Sequence, residues 1–317
     1  MNKTSLKGKI VVIGAGNVGS TIAYTILMNN LVSEIVIIDV NKEKAQGEAL
    51  DMNHGIAYFK QISVKSGDYS DCEDADIIII TAGITRKPGQ TRLELAKINV
   101  SIAKDITKNI MAYSKNPIIL VISNPVDILT YVIQKESGLP ASRVIGSGTT
   151  LDTARLRYLL SAHCNIDVRN VHAYIIGEHG DSEVAVWSRA NIAGNPFDEF
   201  CNDCPKQCKE INRQQLLEDT ITSGAEIIRL KGATYYGIGM ATTRIVAAII
   251  NDEKAVLTVS SVLDGEYSVK DVALSLPCVI SSDGIERFIN IRMNEKEVQD
   301  FQQSANKIKE SIKEINE

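Results

Sequence analysis

Ile10–Gly19 reads IVVIGAGNVG. Ile10 to Ile13 are a short apolar run of the kind a fully buried strand carries. Gly14-Ala15-Gly16-Asn17-Val18-Gly19 fits G-x-G-x-x-G. Ser20 to Asn29 follow as a helix start, with apolar Ile22, Ala23, Ile26 and Leu27. Strand, glycine turn and helix in that order form the dinucleotide-binding fingerprint. Gly14 is expected to make the tight turn, Gly16 to admit a pyrophosphate close to the backbone, and Gly19 to let helix and strand pack. Asn17 and Val18 fall at the helix N-terminus, whose unpaired N–H groups and positive dipole end suit that anion.

Moving outward, a second apolar run, Ile35 to Ile38, ends in Asp39. An acid there can accept hydrogen bonds from ribose hydroxyls and repels a 2′-phosphate, which favours NAD over NADP. The competing assignment for Asp39 is a cap on the following helix. Further on, Asn41 to His54 reads as a helix, Ile62–Val64 as a weak strand and Ile77–Ile80 as a strong one. Thr91 to Met111 carries a long helical pattern, and Ile118–Ile122 and Val144–Ile145 read as further strands. Alternating strands and helices predict an α/β fold with a Rossmann-type, doubly wound parallel sheet over residues 1–147. Such sheets bind ligands outside the carboxyl ends of their strands.

The 317 residues are enough for two domains. Hydrophobic content of 44% and charged content of 23% are those of a water-soluble globular chain. A net charge of −5 gives no basic field, so nucleic acid and anionic membranes are not expected partners. No apolar run reaches the ~20 residues that span a bilayer, and the first ten residues hold no apolar signal core. A cytoplasmic location is expected. Of six cysteines, Cys201, Cys204 and Cys208 cluster, but no histidine lies near them in sequence to complete a zinc set, so no metal is expected.

Past Gly148 the rhythm changes, and residues 148–317 are expected to form an α+β substrate domain. Thr150 to Ala162 reads as a helix on which Asp152 and Arg155 share a face. The apolar stretch Val171–Ile176 leads to Gly177-Glu178-His179-Gly180-Asp181. Arg213 to Leu230 and Ile238 to Asn251 read as helices. Val256–Val262, Tyr267–Leu274 and Pro277–Ser281 read as antiparallel strands, and Asn294 onward as a polar-faced helix. The halves, with no long linker between them, are expected to pack tightly. His179 is the acid–base candidate, because imidazole titrates near the working pH. The loop Thr81–Arg92, with Gly83, Gly89 and three cations, reads as a lid that closes on an anion, or else as a solvated charged turn. Asn124, between a strand end and Pro125, is a ligand contact or a turn former.

Taken together, IGAGNVGS, IDV, DMNHG, TAG…KPGQTR, SNPVDILTY, GSGTTLDTARLR, IIGEHGDSE and KGATYYGIG resemble the L-lactate dehydrogenase/malate dehydrogenase family over nearly the whole chain. The resemblance implies roles. His179 matches the proton donor and acceptor, and Asp152 the acid that orients and charges it. Arg155 matches the arginine that holds the substrate carboxylate, and Arg92 the lid arginine that polarises the carbonyl. Asn124 matches the residue between cofactor and substrate, and Thr234 lines the pocket. The implied cofactor set is Gly14, Gly16, Asn17, Val18, Gly19, Asp39, Gly83 and Asn124, holding NAD.

Trp187 and Thr234 look like lactate dehydrogenase. Arg86, two residues before Pro88 in the lid, stands where lactate dehydrogenases carry glutamine and malate dehydrogenases arginine. An arginine there suits the second carboxylate of oxaloacetate, so the residues lean to oxaloacetate and L-malate, with pyruvate and L-lactate as the alternative. A catalytically silent NAD-binding regulator is the reading from a different class. Arg157 and His172 match residues that bind fructose 1,6-bisphosphate between subunits in many bacterial lactate dehydrogenases. The resemblance also implies a homotetramer.

Overall fold

The computed structural model describes residues 8–85, 89, 91–202 and 212–316. The first half runs β1 (Lys9–Ile13), α1 (Asn17–Asn29), β2 (Glu34–Ile38), α2 (Lys42–Gly55), β3 (Ser63–Ser66), β4 (Ile77–Ile80), α3 (Arg92–Tyr113), β5 (Ile118–Val121), α4 (Val126–Ser137) and β6 (Val144–Gly146). These six strands are parallel, in the order β3-β2-β1-β4-β5-β6. That is the doubly wound order, whose reversal point lies between β1 and β4.

Within β1, β2, β4 and β5 the residues past the first of β1 and β2 are all apolar because both faces of the sheet are covered, whereas the edge strand β3 buries only Val64. Alternate side chains point to opposite faces. Ile10, Val12, Ile35, Ile37, Ile77 and Ile79 pack with α1 and α2. Val11, Ile13, Val36, Ile38, Ile78 and Ile80 pack with α3 and α4.

The second half runs α5 (Thr150–Cys164), β7 (Val171–His172), β8 (Ile175–Gly177), β9 (Glu183–Ala185), β10 (Asn191–Ile192), β11 (Asn195–Pro196), α6 (Phe197–Asn202), α7 (Arg213–Lys231), α8 (Tyr236–Ile250), β12 (Ala255–Asp264), β13 (Lys270–Ser281), β14 (Gly284–Phe288) and α9 (Glu295–Asn316). The sheet continues across the middle of the chain. Gly146 of β6 pairs antiparallel with Ser260 of β12, followed by β13, β8 and β9. Among the described residues eleven strands therefore share one sheet, with β7, β10 and β11 in a small separate one. The expected tight packing of the halves is shared strand pairing. Among the described residues no helix is long and apolar enough to cross a membrane.

One expectation needs correction. Tyr267–Leu274 and Pro277–Ser281 are not separate strands. Residues 266–268 form a helical turn with Tyr267 at φ +49°, and β13 then runs unbroken through Pro277. Proline is admitted there because β13 changes neighbours on that side: it pairs with β8 at Ser275 and with β14 from Cys278 onward. No ladder N–H is required between them. The Pro277 carbonyl instead accepts from Ile289 N, 2.8 Å. The apolar stretch Val171–Ile176 divides between β7 in the small sheet and β8 in the large one.

The glycine turn after β1 is forced by space. Gly14 has φ +115°, and a Cβ there would sit 2.5 Å from Thr81 Oγ1. A Cβ on Gly19 would lie 1.8 Å from the Gly14 carbonyl. Gly19→Ala is therefore expected to push α1 off β1 and to destabilise the protein by about 1–3 kcal/mol, the usual range for overpacking. Urea unfolding followed by circular dichroism measures this; an unchanged midpoint would show that α1 can shift freely.

Candidate active site

Every residue in the implied cofactor set sits at a strand's carboxyl end or just beyond it. At the head of α1, Gly16 is the N-cap and has no side chain to bond the first turn. A Cβ on Gly16 would meet nothing within 4 Å. The N–H groups of Asn17, Val18 and Gly19 thus head a helix whose approach is open, which fits a bound pyrophosphate. Asp39 closes the turn from the other side. Its Oδ2 accepts from Ala15 N (2.6 Å) and its Oδ1 from Asn41 N (2.8 Å). It does not cap α2; Asn41 does, through Lys44 N. The competing assignment for Asp39 falls away.

Gly83 and Asn124 follow β4 and β5. One buried residue that sequence reading passed over, Asn99 of α3, ties these two loops together. Its Oδ1 accepts from Ile84 N (2.9 Å), and its Nδ2 donates to the carbonyls of Ile84 (3.3 Å) and Asn124 (2.8 Å). The exposed Asn124 side chain accepts from Val126 N at 3.3 Å, the turn-forming bond that its place before proline suggests.

The chemistry lies one strand further along. Asp152, in the first turn of α5, is fully buried. Its Oδ2 meets His179 Nδ1 at 2.6 Å, and its Oδ1 accepts from Arg155 Nη1 at 2.7 Å. The helical spacing that put Asp152 and Arg155 on one face delivers both to His179. Burial alone would raise the Asp152 carboxyl, but the imidazole and the guanidinium hold it below the usual carboxylate range. Burial alone would lower the imidazole, but Asp152 and then Glu183 raise His179 well above its ordinary value. With Nδ1 engaged, Nε2 is the ring nitrogen left to exchange a proton. The side chain keeps about a quarter of its surface exposed, so that nitrogen has access to a small molecule.

The surrounding polar residues explain why His179 and Asp152 face each other. Thr149 Oγ1 donates to the Ile175 carbonyl (2.5 Å), and Thr153 Oγ1 accepts from Ile175 N (2.9 Å). Together they lock the first turn of α5 to β8. The turn after β8 is held from two other helices. Asp127 of α4, buried, accepts from His179 N (2.7 Å) and from Ser260 Oγ (2.6 Å). Ser304 Oγ of α9 accepts from Glu178 N (2.9 Å). Burial pushes Asp127 up to about 6 despite these two donors. Asp127 was legible only as a carboxylate two residues past a strand-ending Asn-Pro. Ser260 and Ser304 carry no local signal.

Not every implied residue converges. Arg92, at the first position of α3, is 77% exposed and pairs with Asp181, two residues past His179, rather than with the His179–Asp152 pair. Thr234 is half-buried in the turn between α7 and α8. Arg155 is mostly buried, and Gly224 of α7 makes room for it: a Cβ there would lie 3.4 Å from Arg155 Nη2. Arg157 is half-buried, with Nη2 donating to the Val168 carbonyl at 3.2 Å. His172 is exposed on β7. Arg86, Lys87 and Pro88 of the lid lie outside the described residues, as do Cys204 and Cys208, so the structure does not bear on Arg86. Cys201 is in α6.

Known proteins agree with this geometry. The lactate/malate dehydrogenase NAD-binding domain matches residues 8–146, and the alpha/beta C-terminal domain of the same family matches residues 149–317. The L-lactate dehydrogenase of Acetivibrio thermocellus is 52% identical over 314 residues, 99% of each chain. That of Thermoanaerobacter pseudethanolicus is 51% identical over 307 residues, 97% of this chain and 99% of the relative. Among solved structures, a lactate dehydrogenase from a Medee basin deep-sea metagenome superposes with a TM-score of 0.94 at 45% identity, covering 98% of this chain and all of the other. The minor L-lactate dehydrogenase of Enterococcus mundtii gives 0.93 at 46% identity, over 97% and 98% of the two chains. A glycine turn at the head of a doubly wound sheet, a histidine held by a buried aspartate past the strands' carboxyl ends and these likenesses along the whole chain lead to one conclusion: the chain belongs to the lactate/malate dehydrogenase family and is an NAD-dependent oxidoreductase acting on CH–OH.

Proposed function

We propose that the protein interconverts pyruvate and L-lactate, with His179 as the proton donor and acceptor. The observation that carries the acid–base role is the 2.6 Å contact between His179 Nδ1 and the buried Asp152 carboxylate. The substrate rests on the relatives, which are L-lactate dehydrogenases at about half identity. They favour lactate over the oxaloacetate and malate to which Arg86 leans.

In this reading residues 1–147 bind NAD and 148–317 supply most of the substrate site. NADH, when bound, supplies the hydride to the carbonyl carbon. Cationic His179 donates its Nε2 proton to the carbonyl oxygen, where negative charge grows. Asp152 stabilises the imidazolium and fixes the ring's orientation. Arg155 offers a planar fork to the substrate carboxylate, which sets the face presented for reduction. Arg92 leaves Asp181 to polarise the carbonyl, and Thr234 borders the substrate. In the oxidising direction neutral His179 takes the proton. A catalytically silent regulator has no use for a buried carboxylate held against an imidazole.

Assembly and regulation extend the proposal. Tyr24 and Met28 of α1, with Tyr236 and Met240 of α8, are large apolar residues 45–69% exposed on helices that pack together. An apolar face of that kind fits burial against a second copy, and a homotetramer is the assembly we propose. Fructose 1,6-bisphosphate is proposed to bind at Arg157 and His172, whose guanidinium and ring N–H donors suit phosphate. A cytoplasmic location fits the thiols of Cys72 and Cys278, which are buried in the core.

Three measurements test these statements. Pyruvate is expected to exceed oxaloacetate in kcat/KM, and Arg86→Gln to widen that gap. A wild type that prefers oxaloacetate would restore the malate reading. His179→Asn is expected to lower kcat by roughly 10²–10⁴-fold while leaving NADH binding, followed by fluorescence titration, near wild type; turnover that survives would remove the acid–base role. Sedimentation velocity and initial rates with fructose 1,6-bisphosphate are expected to show a tetramer and activation, the activation being lost in an Arg157→Gln, His172→Ala double variant. An undiminished response there would move the effector elsewhere.

A further inference from the structure

A second buried carboxyl lies against the catalytic pair. Glu183 opens β9, four residues after His179, with a side chain only 2% exposed. Its Oε1 is 3.5 Å from His179 Nδ1, the nitrogen already bound by Asp152. One ligand-type atom from each of Asp152, His179 and Glu183 falls within 4.8 Å of the others. The two carboxyls are not equivalent. Asp152 has a partner on each oxygen, His179 and Arg155. Glu183 Oε2 is buried with no hydrogen-bond partner among the described residues, and His179 is its ion-pair partner there.

The neighbouring charges are accounted for by other contacts. Arg155 on α5 bonds Asp152. Asp127 on α4 bonds Ser260 and the His179 backbone. Glu178 bonds Ser182, Asp181 pairs with Arg92 of α3, and Glu297 of α9 bonds Ser188. Glu183 therefore faces two groups that matter to its charge, the Asp152 carboxylate and the His179 imidazole.

We propose that Glu183 is a positioning residue of charge, which ionises beside the imidazole and thereby sets how far into the alkaline range His179 stays protonated. It does not touch substrate; it acts through His179, and the inference rests on the acid–base role given to that residue above. An unpaired buried carboxylate beside a second one is costly, so the proton is held at low pH. Burial first, and then the Asp152 charge, push Glu183 up to about 7. As pH rises through that region Glu183 loses its proton, and the new negative charge holds the proton on His179. The two groups titrate as a linked pair. Imidazolium is the form needed for reduction, so reduction persists to higher pH than it would beside a neutral side chain.

Glu183→Gln mimics the protonated state and cannot ionise. In acid it is expected to match the wild type in pyruvate reduction. Above neutrality its kcat/KM limb should move down by about one pH unit, the scale of a nearby opposite charge. L-Lactate oxidation, which needs neutral His179, should gain instead, its limb moving down in pH by the same amount. Glu183→Asp, which keeps a carboxyl, should restore part of the alkaline limb. A uniform loss at every pH would mark a purely structural residue and overturn the proposal, as would profiles that superimpose. Nuclear magnetic resonance of the wild type with labelled histidine gives a reading that needs no folded variant. The His179 ring should report two linked steps, the lower near pH 7, and a single-step titration would overturn the proposal. Surviving turnover in His179→Asn would instead defeat the acid–base reading, while leaving the two-step titration intact.

Discussion

The contact between His179 and Asp152 sets the requirement that the rest of the structure meets. A carboxylate with no solvent exposure is tolerated only if it is paired and hydrogen-bonded. Asp152 meets that condition with a ring nitrogen on one oxygen and a guanidinium on the other. Each partner gains from the arrangement: the imidazole holds its proton more tightly, and Arg155 is held in place on its own helix. Removing any one of the three leaves a buried charge uncompensated, so the cluster acts as a unit. A pair held at 2.6 Å also has little slack, and the backbone on both sides must be fixed.

That fixing is done by the joined sheet. Asp152 enters from α5, just after β6, and His179 from the turn after β8. Those strands are separated in the sheet by β12 and β13. Side chains from these intervening strands supply the bridge. Ser260 of β12 bonds Asp127, which holds the His179 backbone. Ser275 of β13 bonds Thr149 N at the start of α5. Thr258 of β12 meets Thr153 at 3.0 Å. A row of buried Ser and Thr hydroxyls in an otherwise apolar sheet is costly unless every member finds a partner. Here Thr258 bonds Thr153, Ser275 accepts from Thr149 N, and Ser260 reaches across to Asp127 of the first half, which gives the site a rigid floor.

The sequence made one class of feature legible and left another hidden. Local patterns carried β1, the glycine turn, Asp39 and the pairing of Asp152 with Arg155, because each depends on residues within a turn or two of one another. The glycine positions announce themselves since no other residue fits the φ of Gly14 or the gap at Gly19. His179 stood out through the glycines on its flanks and the likeness of GEHGD to known enzymes. Asn99, Asp127, Glu183, Ser260 and Ser304 did not stand out. Each is polar and buried; Asn99, Asp127, Ser260 and Ser304 work through neighbours far away in the chain, and Glu183 meets His179 only because a turn folds β9 back beside it. On an isolated strand or helix such a residue reads as surface. The unbroken β13 was hidden for the same reason: Pro277 interrupts a strand by every local rule, and only its place between two successive neighbours explains why it does not.

Arg92 and Arg155 differ in how firmly the fold holds them. Arg155 is largely buried, its guanidinium committed to Asp152 and enclosed by α7 beside Gly224. The delocalised fork bonds Asp152 through Nη1 and retains other donors, which suits the carboxylate-holding role proposed for it. Arg92 sits on the rim, 77% exposed, at the end of a helix whose start is fixed by a Thr91–Glu94 capping box. Its partner, Asp181, belongs to the same turn as His179. A surface pair of this kind contributes little to stability, so giving up Asp181, as the role proposed for Arg92 requires, costs the protein little. The proposed division of roles follows that contrast: the fixed cation is assigned the carboxylate that is charged before and after reaction, and the exposed one the charge that exists only during it.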